Sequence, residues 1–245
     1  FRSFDQTTVN LGAQRDFNVG GFASPVTLAA GVEYRRETYQ TEAGDPASYA
    51  AGPFDATIGA QGAPGLTPAD VVDIDRDVWS VYLDASADVT DRLFVNAAAR
   101  YEDYSDFDAK ATGKLSAIYK ITDAFALRGA VSNSIRAPGL AQVGFSDTTL
   151  SFGDARALIR TRTLRVDDPI ARALGAKSLK PETSQNFSVG FTAQATPSIT
   201  LTVDAFQVNV SDRVTLSDRL FGTALANFVQ AQPGGPGGQS GRFFT

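Results

Sequence analysis

The residues of this chain that could do chemistry are its charged side chains, because two versatile catalytic residue types are missing. The 245 residues contain no His and no Cys. Without His, the commonest general base and imidazole metal ligand is lost, and without Cys there is neither a thiolate metal site nor a disulfide framework. A Ser-His-Asp triad is therefore impossible, which counts against an enzyme.

Many of the charged residues alternate with apolar ones, most clearly in four consecutive runs between residues 78 and 142. Apolar residues at every second position indicate β-strands with one apolar face. The positions between them, such as Asp84, Arg100 and Lys114, carry polar and charged side chains. The main apolar members of the four runs are Trp79, Val81, Leu83, Ala85, Leu93, Val95, Ala97, Ala99, Tyr101, Leu115, Ala117, Tyr119, Ile121, Phe125, Leu127 and Val131.

Two environments are compatible with such strands. In a soluble sandwich the apolar face forms the core, whereas in a membrane barrel it meets lipid and the polar face lines a wet lumen. The runs favour the barrel because they are roughly 10 to 16 residues long, against about 5 or 6 for soluble strands. Their apolar face is thin, often Ala or Gly, and carries no charge in mid-strand, where Lys or Arg facing lipid costs about 2–4 kcal/mol.

The rest of the chain extends the same meander to about eight antiparallel strands. Further strands are predicted near residues 5–17, from Val26, from Phe187 and from Ile199, and Ile74 is predicted to open the central four. Short turns alternate with long segments near 42–73, 135–183 and 211–241. Alternate connections of a meander lie at the same end, so all the long loops share one end, as in outer-membrane barrels. Within the loops, residues 154–165 and 168–174 are predicted as short helices.

Composition limits the class of the protein further. The formal net charge of -5 shows no excess of basic residues of the kind that nucleic-acid binding requires. The chain contains no Met, so we expect a processed or truncated chain, and it carries no signal peptide. No apolar run approaches the ~20 residues of a membrane helix, which leaves a barrel possible because barrel strands are nearly invisible to hydropathy windows.

Five segments, in order along the chain, resemble motifs of the TonB-dependent receptor family of Gram-negative outer membranes. They are similar to its Gly-x-Glu-Tyr-Arg strand, its Arg-Tyr-Glu-Asp-Tyr-Ser strand end, its Phe-Arg-Ala-Pro-Ser-Leu-x-Gln signature, its Leu-x-Pro-Glu motif and its Ile-x-Ile-x-Asp-Arg-Ile ending. Ile135 and Gly139 stand where the signature usually has Phe and Ser. The segments are 32–37, 99–107, 127–142, 179–186 and 208–214.

The resemblance implies a barrel of about 22 strands around an N-terminal plug domain. This chain would be a single all-β barrel segment of about eight strands, without a recognisable plug, whose residues 242–245 look like the start of a further strand. The resemblance implies active uptake of a scarce ligand such as a ferric siderophore, in the outer membrane of a Gram-negative bacterium. Its partners would be the lipid bilayer, its own plug, the TonB complex acting through the plug, and a small-molecule ligand such as a metal chelate. No enzymatic activity, cofactor or bound nucleic acid is implied.

Candidate binding residues follow from this frame, each with a structural alternative. The charges on the polar face could contact ligand or plug, or could pair across neighbouring strands in a solvated wall. A basic cluster in the middle loop could contact an acidic ligand, or could be a solvated helix face. Asp70, Asp73 and Asp75, and Asp167 with Asp168, match no calcium loop, so no metal site is predicted. The ligand or plug candidates are Arg136, Arg100, Glu102, Arg128, Lys114 and Asp84, and the loop candidates are Arg156, Arg160, Arg162 and Arg165.

One alternative from another functional class stays open at this point. The eight strands could close on themselves as a small outer-membrane barrel with a structural or adhesion role. In that case the first strand would pair with the last.

Overall fold

The computed structural model describes residues 1–50, 64–152, 158–231 and 240–243. Eight long strands form one antiparallel sheet in the order β1-β2-β3-β4-β5-β6-β9-β10. The predicted meander is therefore confirmed, with β1 and β3 starting a few residues earlier than expected. The strands are β1 (Arg2–Phe17), β2 (Val26–Thr41), β3 (Val72–Thr90), β4 (Leu93–Tyr104), β5 (Lys110–Thr122), β6 (Phe125–Arg136), β9 (Glu182–Thr196) and β10 (Ile199–Ser211).

The strand register places apolar side chains beside one another on one face of the sheet, here called the outer face. Val81 lies opposite Val32 on β2 and Tyr101 on β4. These side chains face outward: Trp79 is 60% exposed and Leu83 is 53% exposed. Because paired residues share a face, the alternate, polar positions form the opposite face, here called the inner face.

The connections sort by length between the two ends of the sheet, as predicted. Residues 18–25, 91–92, 123–124 and 197–198 form tight links at one end, the short-turn end. Gly21 in the first of them has a φ of 98°, a conformation that glycine adopts without strain. The longer connections after β2, β4 and β6, and the chain after β10, leave the sheet from the opposite, long-loop end.

The two edge strands of the sheet, β1 and β10, lie at its opposite ends and do not pair with each other. The alternative in which these eight strands close on themselves is therefore wrong for this sheet. Each edge strand presents one row of backbone N–H and C=O groups that no described strand satisfies.

A second, four-stranded sheet is built from the loop segments, and the sequence analysis did not predict it. Its order is β11-β12-β8-β7, and β12 runs parallel to β8. The C-terminal segment therefore joins this loop sheet and does not start a further strand of the long sheet; residues 244–245 lie outside the described part. The strands are β7 (Asp147–Phe152), β8 (Leu158–Leu164), β11 (Leu220–Phe221) and β12 (Ser240–Phe243).

Three short helices accompany the loop sheet: α1 (Leu140–Gly144), α2 (Pro169–Ala173) and α3 (Thr223–Gln230). The helix predicted near 168–174 is confirmed by α2, which begins after an Asp168 carboxylate that accepts from the Ile170 N–H at 2.8 Å. Two single 3₁₀ turns, Pro46–Ser48 and Pro68–Asp70, lie between β2 and β3. Among the described residues, no helix has the length and apolar character to cross a membrane.

The helix predicted over 154–165 is wrong, because residues 158–164 form β8. The segment alternates Thr161 and Thr163 with arginine and leucine, and both threonines are buried, at 0% and 1% exposure. Pairing with β7 and β12 on both sides favours the β-branched threonines over a helix. Residues 153–157 lie outside the described part of the chain.

The division into two faces makes a stability prediction. Leu83→Arg places a guanidinium on the outer face near mid-strand. Because the strand pattern predicts that this face meets lipid, we expect the variant to lose about 2–4 kcal/mol of unfolding free energy in a bilayer. Ser132→Arg, on the inner face of β6, should change the free energy of unfolding by less than about 1 kcal/mol. Urea titration of the protein refolded into lipid vesicles measures both, and equal losses would contradict the assignment of faces.

Candidate functional site

The inner face carries its densest charge near the long-loop end of β2, β3 and β4. The strand register aligns Glu33, Ser80 and Glu102 in one row across these three strands. Two carboxylates this close would repel each other unless a cation lay between them. The arginines of the same strands supply that cation.

Arg100 neutralises both glutamates of this row. Its Nη2 donates to Glu33 Oε1 at 2.8 Å and its Nε donates to Glu102 Oε1 at 2.8 Å. The second oxygen of Glu102 accepts from the Tyr104 hydroxyl, also at 2.8 Å. Glu102 is 8% exposed, so these bonds replace the water it loses. Arg100 and Glu102, predicted as contact residues, are thus partners of each other within the wall.

Arg76 on β3 is the most deeply buried cation of the inner face, with its residue 1% exposed. Two of its nitrogens donate to the Asp106 carboxylate, at 2.9 Å and 2.7 Å, and Nη1 lies 3.5 Å from Glu37 Oε2. Its guanidinium carbon lies 5.4 Å from the centre of the Phe107 ring, which stacks on Tyr104 at 4.1 Å. The two hydrogen bonds from the Arg76 guanidinium to Asp106 fix the 105–109 loop against the inner face of the sheet.

A hollow of about 440 Å³ lies on the inner face above this network. Its floor includes Arg35, Arg76 and Glu102, and its upper wall includes Gly139 and Leu140 from the segment that follows β6. The hollow therefore lies between a charged wall and a covering loop segment.

Arg128 forms an ion pair near the short-turn end. Its Nε donates to Asp204 Oδ1 at 2.8 Å, although the two residues lie on β6 and β10, with β9 between them. Gly190 on β9 is in register with both, and a Cβ at that position would collide with the Asp204 carboxylate. The glycine thus leaves room for the ion pair to cross a strand.

Arg136 lies at the long-loop end of β6, where it contacts a glutamate of the next strand. Its Nη1 donates to Glu182 Oε1 at 3.1 Å, and the same oxygen accepts from the Val214 N–H at 2.9 Å. The Arg136 side chain is still 63% exposed, so it reaches solvent at the rim while it helps to fix the segment after β10.

Asp84 and Lys114 differ from the other predicted contact residues because neither is in an ion pair among the described residues. Both Asp84 oxygens accept from the Asn96 amide at 2.9 Å, which leaves the carboxylate charge in place. Lys114 is exposed and is in register with Ala98, which is in register with Asp84. The three residues help to line a depression of about 480 Å³ on the inner face.

Asp70 forms a second polar centre, outside the long sheet, in the loop between β2 and β3. It is 2% exposed. Its Oδ1 accepts from Ser146 Oγ at 2.6 Å and from Arg162 Nη2 at 2.9 Å, and its Oδ2 accepts from the Thr67 N–H and hydroxyl at 2.9 Å and 2.7 Å. Burial alone would raise the pKa of the Asp70 carboxyl, but the hydrogen bonds from Ser146 and Thr67, with the charge of Arg162, lower that pKa below its ordinary value.

The predicted basic loop cluster does not form a solvated helix face. Arg162 lies on β8 and points to the rim, where it also donates to Thr148 Oγ1 at 3.2 Å. Arg165 Nη1 donates to the Val71 carbonyl at 3.4 Å, and its Nε lies 3.3 Å from Asp167. Arg160 lies within β8, and Arg156 lies outside the described residues. Arg162 and Arg165 thus join the loop sheet to the long sheet.

The aspartates considered as calcium ligands lie apart. Asp70 bonds to Arg162, whereas Asp73 accepts from Gln40 at 3.1 Å and Asp75 accepts from Arg36 at 3.2 Å on the outer face. Asp167 pairs with Arg165, and Asp168 begins α2. Each group has its own partner, and within the described ranges no three acidic residues converge on one point that could hold a metal ion.

Two residues that organise the site were not among the predicted contact residues: Arg76 was not singled out, and Asp70 was considered only as a calcium ligand. Extending the period-two alternation of β3 back from Ser80 would have placed Arg76 on the inner face. No local pattern identifies Asp70 as the centre of its cluster, because Ser146 and Arg162 are distant in sequence. The arrangement as a whole is a wall of paired charges with two depressions, which is suited to binding a polar ligand.

Comparison with known proteins places these features in a family context. The family model for the TonB dependent receptor-like β-barrel matches residues 1–238. A protein of Acinetobacter baumannii described as the probable TonB-dependent siderophore receptor PirA is 26% identical over 171 residues, which are 69% of this chain and 21% of that protein. The chain therefore spans about a fifth of the length of this curated relative.

Solved structures share the fold at lower sequence identity. The siderophore receptor PirA from Pseudomonas aeruginosa superposes with a TM-score of 0.68 at 12% identity, over 99% of this chain and 37% of that one. A variant of the ferric enterobactin receptor PfeA from the same organism, in complex with enterobactin, gives a TM-score of 0.64 at 12% identity, over 99% of this chain and 32% of that one. The long sheet is thus similar in fold to roughly a third of these receptors.

The buried position of Arg76 predicts a large cost for its removal. Arg76→Gln leaves Asp106 without its cation, whereas Glu37 keeps Arg35 at 2.9 Å. We expect the free energy of unfolding to fall by about 3 kcal/mol, the low end for a broken buried pair, because Asp106 is partly exposed. Arg36→Gln, which breaks an exposed pair with Asp75, should cost less than about 1 kcal/mol. Denaturant titrations in which the two variants lose similar stability would refute this account.

The lowered pKa of Asp70 predicts an acid-sensitive contact between the loops. A carboxyl whose folded-state pKa is lowered adds stability that is fully present above its unfolded pKa of about 3.9. That stability is lost as the pH falls through the folded-state pKa. We expect residues 158–176 to resist pepsin at pH 5 and to become increasingly cleavable as the pH falls below about 3.9 towards the lowered pKa of Asp70, whereas Asp70→Asn should be cleaved already at pH 5. Identical pH profiles for the two proteins would exclude this role.

Proposed function

The chain belongs to the TonB-dependent receptor family, and on that premise we propose that it forms part of the barrel wall of an outer-membrane receptor for a ferric siderophore. The observation that carries the proposal is the match of one receptor barrel family over residues 1–238, on a chain whose strands alternate between an exposed apolar face and a charged inner face. The family is one of receptors, and the proposal includes no catalytic step.

The choice of a siderophore as ligand is supported by the relatives. The curated relative is described as a siderophore receptor, and the similar folds include a siderophore receptor and a ferric enterobactin receptor. Paired and unpaired charges on the inner face suit a polar, charged chelate better than an apolar ligand. Under this proposal the iron complex is cargo and is not a resident cofactor.

We assign the long-loop end to the outside of the cell and the short-turn end to the periplasm, as is general for outer-membrane barrels. The outer face then meets lipid, with Trp79 and Tyr34 in contact at 4.7 Å as part of an aromatic girdle. The hydrocarbon core cannot satisfy the free backbone groups of β1 and β10. Further strands of the same barrel would pair with both edges, and a plug domain would occupy the lumen and contact the TonB complex.

Among the predicted contact residues, Lys114 and Asp84 are the strongest candidates to meet ligand or plug. Arg100, Glu102, Arg128 and Arg136 already pair with wall residues, so a ligand would have to displace those partners. Lys114 and Asp84 keep their charges free within the described residues, and both line the same depression. Arg162 and Arg165, in contrast, are assigned to loop structure.

Iron-limited growth tests the proposal. A strain that depends on the intact receptor should grow on ferric enterobactin or on another ferric siderophore of a panel, and growth should stop when TonB is removed. In the same assay Lys114→Gln should lower uptake several-fold without loss of folded protein, whereas Lys177→Gln, an exposed loop lysine, should leave uptake unchanged.

Two results would count against the proposal. If the strain grows on none of the ferric siderophores, a siderophore is not the ligand. If uptake persists without TonB, the TonB complex is not the energy source. Equal uptake by the Lys114 and Lys177 variants would leave the receptor function standing but reject Lys114 as a contact residue.

A further inference from the structure

We propose that residues 137–146, here called the strap, form a gate over the hollow of the inner face, and that Asp70 is the latch that holds the gate closed. The strap leaves β6 after Arg136, includes α1, and ends at Ser146 beside Asp70. The proposal deepens the proposed function, because it treats the inner face as the passage that a ligand enters.

The strap crosses the inner face from one part of the rim to another. It begins at β6 and packs on β2 and β3, four strand spacings of about 4.8 Å away, or about 19 Å. Ten residues can span up to about 33 Å when extended, so the chain reaches without strain. On the way Ala137, Gly139 and Leu140 cover the hollow whose floor includes Arg76 and Glu102.

The helix α1 of the strap packs in a small apolar contact. Leu140 is 3% exposed, and Gly144 packs so closely that a Cβ there would lie 2.9 Å from Ile74 Cδ1 and 3.3 Å from Tyr39 Cδ1. The following Phe145 ring lies 4.8 Å from the Arg2 guanidinium carbon. A five-residue helix buries little area in such a seat, so the polar contacts beside it make a large contribution to its closure.

Those polar contacts converge on one carboxylate. Ser146 brings the end of the strap to Asp70 Oδ1 at 2.6 Å, and Arg162 brings the loop sheet to the same oxygen at 2.9 Å. Asp70 itself is fixed to the rim, because its carbonyl accepts from the Thr41 hydroxyl on β2 at 2.6 Å. A buried carboxylate without its donors is costly, so the strap and the loop sheet should dock or release together.

The hydrogen bonds described between the strap and the rest of the chain are concentrated at its Ser146 end. Gly139 N–H bonds to Gln142 Oε1 at 2.9 Å within the strap itself, and Leu140 is buried by packing. A segment with one polar anchor and a small apolar seat can open locally without unfolding the strands. Release at Asp70 would let the strap swing about β6 and uncover the hollow.

Distance measurements between two spin labels test the latch in the intact receptor. The chain has no Cys, so Ala141→Cys on the strap and Ser116→Cys on β5 give unique label sites. We expect one narrow distance distribution in the parent protein. Asp70→Asn and Arg162→Gln should each add a population at longer distance. Loss of a hydrogen bond to a charged group should raise the ratio of open to closed strap by about tenfold or more over the parent. Ser146→Ala, which removes only the strap's own donor, should give a smaller open fraction.

Two further variants make the result specific. Asp75→Asn is the matched control, because it neutralises another rim aspartate of the same region that pairs with Arg36 outside the cluster; it should keep the narrow distribution. The double variant Asp70→Asn with Arg162→Gln should open no further than Asp70→Asn alone, because both changes break the same contact.

An unchanged distribution in Asp70→Asn would overturn the latch, and broadening in Asp75→Asn as well would overturn its specificity. Circular dichroism of the barrel strands confirms that each variant is folded. The measurement uses no ligand, so its outcome is independent of the uptake test. An open strap in Asp70→Asn, together with no siderophore uptake by the parent receptor, would reject the proposed function and keep the gate.

Discussion

Backbone hydrogen bonding between long antiparallel strands is the constraint on which the rest of this structure depends. Each strand pairs over most of its 12 to 19 residues, and paired residues must share a face. Once the register is set, the apolar side chains in the middle of the strands share the parity that points outward, and most charged side chains there have the parity that points inward. The inner charges are then forced into neighbouring rows, and their pairing becomes a requirement of the wall.

This requirement explains why most inner arginines serve structure. Arg100 separates Glu33 from Glu102, Arg76 holds Asp106, and Arg128 reaches across a strand to Asp204. In a wall built in this way, opposite charges pair where the strands are close, and among the described residues charges such as those of Lys114 and Asp84 remain without an ion-pair partner. Charge pairing also holds the long-loop end together, because Asp70 joins three segments that are distant in sequence.

Strands and their faces could be predicted from the sequence, because they depend on the local side-chain period. Contacts between segments that are distant in sequence could not. The alternation from Trp79 to Val131 predicted four strands, their faces and the sorting of loops by length, because a strand's side-chain period is a local property. The strand β8 was mistaken for a helix, since its pairing with β7 and β12 cannot be read from residues 158–164 alone. For the same reason the bond from Arg162 to Asp70, 92 positions away, was not predicted.

The central claim is that even positions of β3 face a wet lumen and odd positions face lipid, and single-cysteine scanning tests it most directly. Cysteines placed one at a time at positions 79 to 86 of the intact receptor in its membrane are treated with a water-soluble thiol reagent. We expect modification at positions 82, 84 and 86 and protection at 79, 81, 83 and 85; position 80 should also be protected, because Ser80 is only 2% exposed beside Glu102. Uniform modification, or protection with the opposite parity, would contradict it.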